Sequence, residues 1–221
     1  MDLILVRHAE PVRIDAATAP APGAQASADP PLTDVGRVNA GRTAAWLARE
    51  TVDLVVSSPL LRARQTAEPL ADALGLGVEI VDGIGEFDAR DASYIPFEEM
   101  PRDHEKWQAM VDGHWSEIDG WMDPHEFRNQ VVGALDGLIA ANPGRRVVAF
   151  THGGAINTYL ADILGIDRYL WFYPGYASIH RVVASRNGVR SVVSVNETAH
   201  LDAGRMAAAA SAFDLAERES A

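Results

Sequence analysis

His8 and His152 each stand at the end of a short apolar run, the first after Leu3-Ile4-Leu5-Val6-Arg7 and the second after Arg146 to Thr151. Arg7 adjoins His8, Arg62 follows Pro59 within one helical turn, and Glu86 ends Gly83-Ile84-Gly85-Glu86. Two imidazoles and two guanidiniums brought to one spot repel one another unless an anion joins them. A phosphoryl group suits such a cluster, because arginine forks pair with its oxygens in a bidentate way. Backbone N–H groups at a helix start on Gly153-Gly154 would add donors.

The elements that must position these residues are legible from pattern. Leu3 to Val6, Asp53 to Ser57, Val78 to Val81 and Arg146 to Phe150 read as strands, the apolar runs among them as strands buried on both faces. Helices are expected from an N-cap at Thr33 or Asp34, from Leu60 to Leu74, from about His125 to Ala141, and from Gly153 to Leu164. Ile179 to Ser185 and Val189 to Val195 flank Asn187-Gly188, a strong hairpin signal. Strands alternating with helices give an α/β domain, a three-layer α/β/α sandwich around a mostly parallel sheet. Ligands in such folds bind beyond the carboxyl ends of the strands. Those ends are Arg7-His8, Ser57-Ser58 and Thr151-His152, and the third strand leads to Glu86.

The domain is expected over residues 1–203, with a mainly helical insertion at about 88–124 and the hairpin near its end. Arg13 to Pro31 is rich in Ala and Pro and reads as a long mobile loop. Residues 204–221 read as an Ala-rich tail, loosely held or frayed. Trp107, Trp115, Trp121 and the run Trp171-Phe172-Tyr173 favour packing over lining a pocket. His104, His114 and His125 match no metal-ligand spacing and read as solvated. His180 falls in a hairpin strand, and His200 is a candidate support for the active face.

Composition narrows the class. The chain has 221 residues, 48% hydrophobic, no cysteine and a formal charge of −12. That is enough for one sizeable core, and too apolar for disorder. No run of about 18 apolar residues is present, so no membrane span is expected. The acidic balance disfavours nucleic acid, which requires a basic surface. Lack of cysteine excludes thiolate metal sites and cysteine nucleophiles; with no secretory signal at Met1 to Glu10, it fits the cytoplasm. Lys106 is the sole lysine, so arginine abundance alone is no sign of phosphate binding.

Leu5-Val6-Arg7-His8-Ala9-Glu10 resembles the Arg-His-Gly motif of the histidine phosphatase superfamily, the phosphoglycerate mutase-like proteins. In order, Leu32-Thr33-x-x-Gly36, the block Ser57 to Ala67, Thr151-His152-Gly153-Gly154 and Asn196 to Leu201 resemble that family's further motifs. The resemblance implies that His8 is the nucleophile that becomes phosphorylated. It implies that Arg7, Arg62 and His152 hold the phosphoryl oxygens, and that Glu86 is the general acid, with Asp88 close enough to compete. Attack by a neutral imidazole splits hydrolysis into two easier steps. No metal or cofactor is required. The partner would be a small phosphorylated substrate; the oligomeric state is open, a dimer being one option.

Ala9 stands where the family has glycine, which is tolerable if its backbone is not left-handed. Pro11 and Ile14 occupy positions where mutase members carry Ser and Asn, which favours a phosphomonoesterase over a mutase. A non-catalytic phospho-ligand binder on the same fold is the third reading.

Overall fold

In the computed structural model, which describes residues 1–14, 27–96, 99–112 and 114–201, the apolar runs join one six-stranded sheet. Its strands are β1 (Asp2–Arg7), β2 (Leu54–Ser57), β3 (Val78–Ile80), β4 (Arg146–Thr151), β5 (Ile179–Ala184) and β6 (Arg190–Glu197), in spatial order β3-β2-β4-β1-β5-β6. The first four in that order are parallel. β5 and β6 continue it as an antiparallel hairpin. In the hairpin's loop Gly188 alone takes the left-handed backbone (φ 79°), and Ser185 N–H donates to Val189 O across a three-residue turn.

Alternation along the strands divides the core between two helical layers. Ile4 and Val6 of β1 pack with Ala44 and Leu47 of α1 (Asp34–Leu47) and Leu70 of α2 (Leu61–Leu74). Leu3 and Leu5 pack on the opposite face with Phe127 and Val131 of α4 (Pro124–Ala141) and with Ile156 and Tyr159 of α5 (Gly153–Leu164). Each large side chain buried this way contributes roughly 1.5–3 kcal/mol. β1 and β4 lie at the centre, covered on both faces, so their carboxyl ends form a stiff platform. Their register pairs Arg7 with Thr151, which places the residues that follow, His8 and His152, side by side.

The regular pieces of the 88–124 insertion are α3 (Glu105–Asp112) and a 3-10 turn at Trp115–Glu117. Asp91 ties the insertion together. Its carboxylate accepts from Ser93 N–H and Oγ–H, from Trp121 Nε1–H and from Lys106 Nζ, the chain's one lysine. Its carbonyl accepts from Ala28 N–H at 2.7 Å, fastening the 27–31 segment to the same point. Trp115 is fully buried and stacks at 4.3 Å from Phe87, so the insertion shares the main core. The expected mobile loop falls largely on residues 15–26, and the expected tail on 204–221, which lie outside the described residues. Among the described residues no helix is long and apolar enough to cross a membrane.

Candidate active site

His8 leaves β1 with its backbone held from two sides: its N–H donates to Thr151 O at 2.9 Å, and its carbonyl accepts from Ala177 N–H at 3.2 Å. The ring is buried, and Nδ1 lies 2.8 Å from the Ala9 carbonyl. A carbonyl can only accept, so Nδ1 carries the proton and Nε2 keeps a free lone pair. Burial, reinforced by the charges of Arg62 and Arg7, holds the His8 pKa well below the ordinary imidazole value. His8 is therefore neutral near pH 7, the nucleophilic form. Ala9 fits because its backbone is not left-handed; among the described non-glycine residues only Ala177 and Asn196 are.

The Leu-Thr-x-x-Gly block explains itself at this point. Thr33 caps α1 by accepting from Gly36 N–H at 2.9 Å, and its own N–H donates to Glu10 O at 3.0 Å. A Cβ on Gly36 would lie 2.1 Å from the Glu10 carbonyl oxygen. Glycine there lets α1 press against the segment that follows His8.

Arg7 is aimed by the loop before β5. Its Nη1 donates to Pro174 O at 2.6 Å and to Tyr173 Oη at 3.3 Å, and its guanidinium lies 4.0 Å from the centre of the Tyr176 ring. Arg62, in the first turn of α2, is 1% exposed. It faces Asp29 at 3.7 Å and Asp88 at 3.9 Å, with the Tyr94 ring 4.7 Å beneath it. Its Nε and Nη1 have no hydrogen-bond partner, which leaves donors for an incoming anion. His152 lies 5.0 Å from His8, ring centre to ring centre. Ser58 Oγ sits 2.6 Å from His152 Nε2, and the buried Nδ1 has no partner. Ser58 Oγ and Nε2 share one hydrogen bond, which leaves Nδ1 as the ring nitrogen without a partner. Burial, then the charges of Arg62, His8 and Arg7, keep His152 neutral as well.

Glu86 reaches the same cleft. Gly154 N–H donates to its Oε2 at 2.9 Å and Phe87 N–H to its Oε1 at 3.2 Å. Burial, with the neighbouring charge of Asp88, outweighs those donors and lifts its pKa to about 7. Asp88 is raised too, by burial, against the pull of Arg62. A Cβ on Gly154 would lie 2.2 Å from Glu86 Oε1 and 2.8 Å from Phe87 Cδ1. Gly154→Ala is therefore expected to displace the Glu86 carboxylate and, if that group takes part in the reaction, to lower kcat by about 10²-fold, the cost of misplacing such a group by about an ångström. Steady-state kinetics alongside a thermal melt checks this: an unchanged kcat, or a loss explained by unfolding, rejects it.

The structure thus brings Arg7, His8, Arg62 and Glu86 to one cleft, with Gly153 on its wall beside Arg7 and the buried His152 packed beside His8. The Gly154 N–H, one of two backbone donors expected to face an anion, is engaged by Glu86 instead. Trp107, Trp121, Trp171 and Phe172 pack against the core as expected, with Trp115 within it, while Trp121, Phe172 and Tyr173 also line the cleft. His180 is buried, its pKa lowered by burial to about 3, and it bonds Ser178 Oγ and Asn196 N–H. His200 Nε2 lies 3.0 Å from the carbonyl of Ala177, supporting the residue that holds His8. Sequence reasoning missed Ser58, Asp29 and Tyr176. Ser58 stood at a strand end, the one signal that could have found it; Asp29 and Tyr176 lay in loops without a readable motif.

The sequence pattern of the histidine phosphatase superfamily (branch 1) matches residues 3–198. Phosphoserine phosphatase 1 of Hydrogenobacter thermophilus is 29% identical over 204 residues, covering 90% of this chain and 93% of that protein. Phosphoserine phosphatase from Entamoeba histolytica, solved with phosphoserine, superposes with a TM-score of 0.68 at 24% identity, over 91% of this chain and 99% of that one. A mycobacterial glucosyl-3-phosphoglycerate phosphatase solved with VO3 gives 0.70 at 21% identity, over 89% and 99%. With the ordered motifs and the site they converge on, the match over nearly the whole chain means that this protein belongs to the histidine phosphatase superfamily, branch 1, and is a phosphatase of that family.

Proposed function

We propose that the protein is a metal-independent phosphomonoesterase that works through a phosphohistidine on His8. The observation that carries this is the ring geometry of His8: Nδ1 tied to the Ala9 carbonyl, Nε2 bare, and the ring held neutral beside two arginines. In the first step Nε2 attacks phosphorus in line with the ester oxygen. The P–O bond breaks, and protonated Glu86 gives its proton to the departing alcohol. Arg7, Arg62 and His152 hold the equatorial oxygens, where charge stabilisation does most for phosphoryl transfer. Gly153, at the start of α5, adds a backbone donor. In the second step the Glu86 carboxylate takes a proton from water, the oxygen attacks phosphorus, and the P–N bond breaks to release phosphate and neutral His8.

Glu86 is preferred to Asp88 as the acid because Gly154 and Phe87 fix its carboxylate, while Asp88 faces Arg62. Asp88's part is to keep the Glu86 proton in place. Pro11 and Ile14 make backbone bridges to Leu32 and Tyr94, and offer no side-chain polarity for the second phosphate of a mutase intermediate. The substrate is read as a small phosphorylated molecule and the setting as cytoplasmic.

The test is to incubate the protein with a ³²P-labelled monoester, quench in alkali and look for label. Acid-labile, alkali-stable label on the protein, with net phosphate release, is the expected result. Phosphate exchange between the positions of phosphoglycerate, without net release, would establish the mutase; phosphate binding with no turnover would establish the binder.

A further inference from the structure

Beyond the phosphoryl end, the cleft is walled by Phe87, Tyr94, Met110, Trp121, Leu170 and Phe172. Phe87 stacks edge-on to Trp121 at 4.8 Å and against Trp115 at 4.3 Å, so this wall is continuous with the core and rigid. The polar atoms in it are already engaged. Trp121 Nε1–H donates to Asp91. Asn157, which also lines the cleft, gives its amide to Gly153 O and Phe172 O and its carbonyl to Trp171 and Phe172 N–H.

Charge is just as limiting. The cationic residues among the described lining are Arg7 and Arg62, and Arg62 already faces two carboxylates. Lys106 is paired with Asp91. The undescribed residues 15–26, 97–98 and 113 contain no lysine or arginine; Arg205 and Arg218 lie in the tail. A cleft with two arginines serves one phosphoryl group and leaves none for a second anion. An anionic leaving group would also meet the acidic surface of the chain.

We infer that this site takes phosphomonoesters whose leaving group is apolar, an extended alkyl or aryl alcohol, rather than one bearing a carboxylate. The inference rests on the phosphomonoesterase reading and adds the substrate class. Its partner wall would dehydrate the leaving group, and each methylene buried there should raise kcat/KM about three- to fourfold.

Three measurements test it. The first compares hydrolysis of ethyl, butyl, hexyl and 3-phenylpropyl phosphates with that of phosphoserine and 3-phosphoglycerate, all aliphatic esters. The expected result is a rise with chain length, hexyl exceeding 3-phosphoglycerate by at least about 10²-fold in kcat/KM. A flat series, or a preference for phosphoserine or 3-phosphoglycerate, overturns the inference and leaves the phosphomonoesterase standing. The second measures calorimetric binding of hexylphosphonate against 2-carboxyethylphosphonate, which needs no turnover. Tighter binding of hexylphosphonate supports the apolar site even if no ester is cleaved, in which case only the catalytic reading fails; equal or weaker binding overturns it. Met100→Lys, which places a cation on the lining, is expected to shift the hexyl-to-phosphoglycerate preference toward phosphoglycerate by about tenfold, one ion pair's worth in a partly desolvated cleft; no shift counts against the inference.

Discussion

His8→Ala should lower phosphate release by at least about 10⁴-fold, the scale seen when a nucleophile is deleted from a unit that works together, and should abolish protein-bound label. No other described side chain takes over. The Nε2 of His152 is held 2.6 Å from Ser58 Oγ, so that nitrogen is not presented to phosphorus. The loss is in chemistry rather than folding. His8 makes one side-chain hydrogen bond, to a neighbouring carbonyl, and its backbone bonds to Thr151 and Ala177 survive the change. The variant should therefore still bind inorganic phosphate by calorimetry, through Arg7, Arg62 and His152. Residual turnover within tenfold of the parent protein, or label persisting on the variant, would falsify the assignment of His8.

Glu86→Gln is the second large effect, and it carries a sign in pH. The parent's Glu86 titrates at about 7 because burial and Asp88 oppose its charge. While the first step limits, kcat/KM should fall as pH rises through about 7, as the donor loses its proton. Glutamine keeps the shape and can donate no proton to the alcohol, so kcat/KM should drop by 10²- to 10⁴-fold, the usual worth of a general acid, and the fall near pH 7 should disappear. Stability moves the other way. A carboxyl whose folded pKa lies above its unfolded value of 4.5 contributes stability fully below pH 4.5, and loses it as pH rises through about 7. Denaturant titrations at pH 5 and pH 8 should thus show Glu86→Gln gaining on the parent at the higher pH. An aryl ester whose leaving group needs no proton should be rescued relative to an alkyl ester. A variant that retains the parent's pH profile would instead point to Asp88.

Much of the site was legible because its members sit at strand ends. A strand covered on both faces must be apolar throughout, so Leu3 to Val6 and Val147 to Phe150 announce themselves, and the first polar residues past them, Arg7-His8 and His152, fall at the carboxyl edge. What holds those residues was not legible in the same way. The donor to His152 is Ser58, 94 residues distant in sequence. The carboxylate that caps α2 at Leu61 N–H is Asp29, 32 residues upstream, and it also faces Arg62. Rules for helix caps look for a partner next door, whereas here a loop brings one from elsewhere. Trp115 and Trp121 have the same type and nearly the same neighbourhood; both pack with the core, and only the tertiary structure brings Trp121 to the cleft as well.

The sequence by itself determined the order of strands and helices, the carboxyl edge where the polar residues gather, the exclusion of a cysteine nucleophile, and five residues that the structure places near one another. It could do so because hydrophobic periodicity and residue chemistry are local properties. Only the tertiary structure decided which ring nitrogen of His8 is free, that Ser58 holds Nε2 of His152, how far Glu86 is pushed toward neutrality, and that aromatic side chains wall the cleft beyond the arginines. Those outcomes depend on distances between groups remote in sequence and on how far each is removed from water, and both are set when the β1–β4 platform, the 27–31 segment and the insertion close around the same cleft.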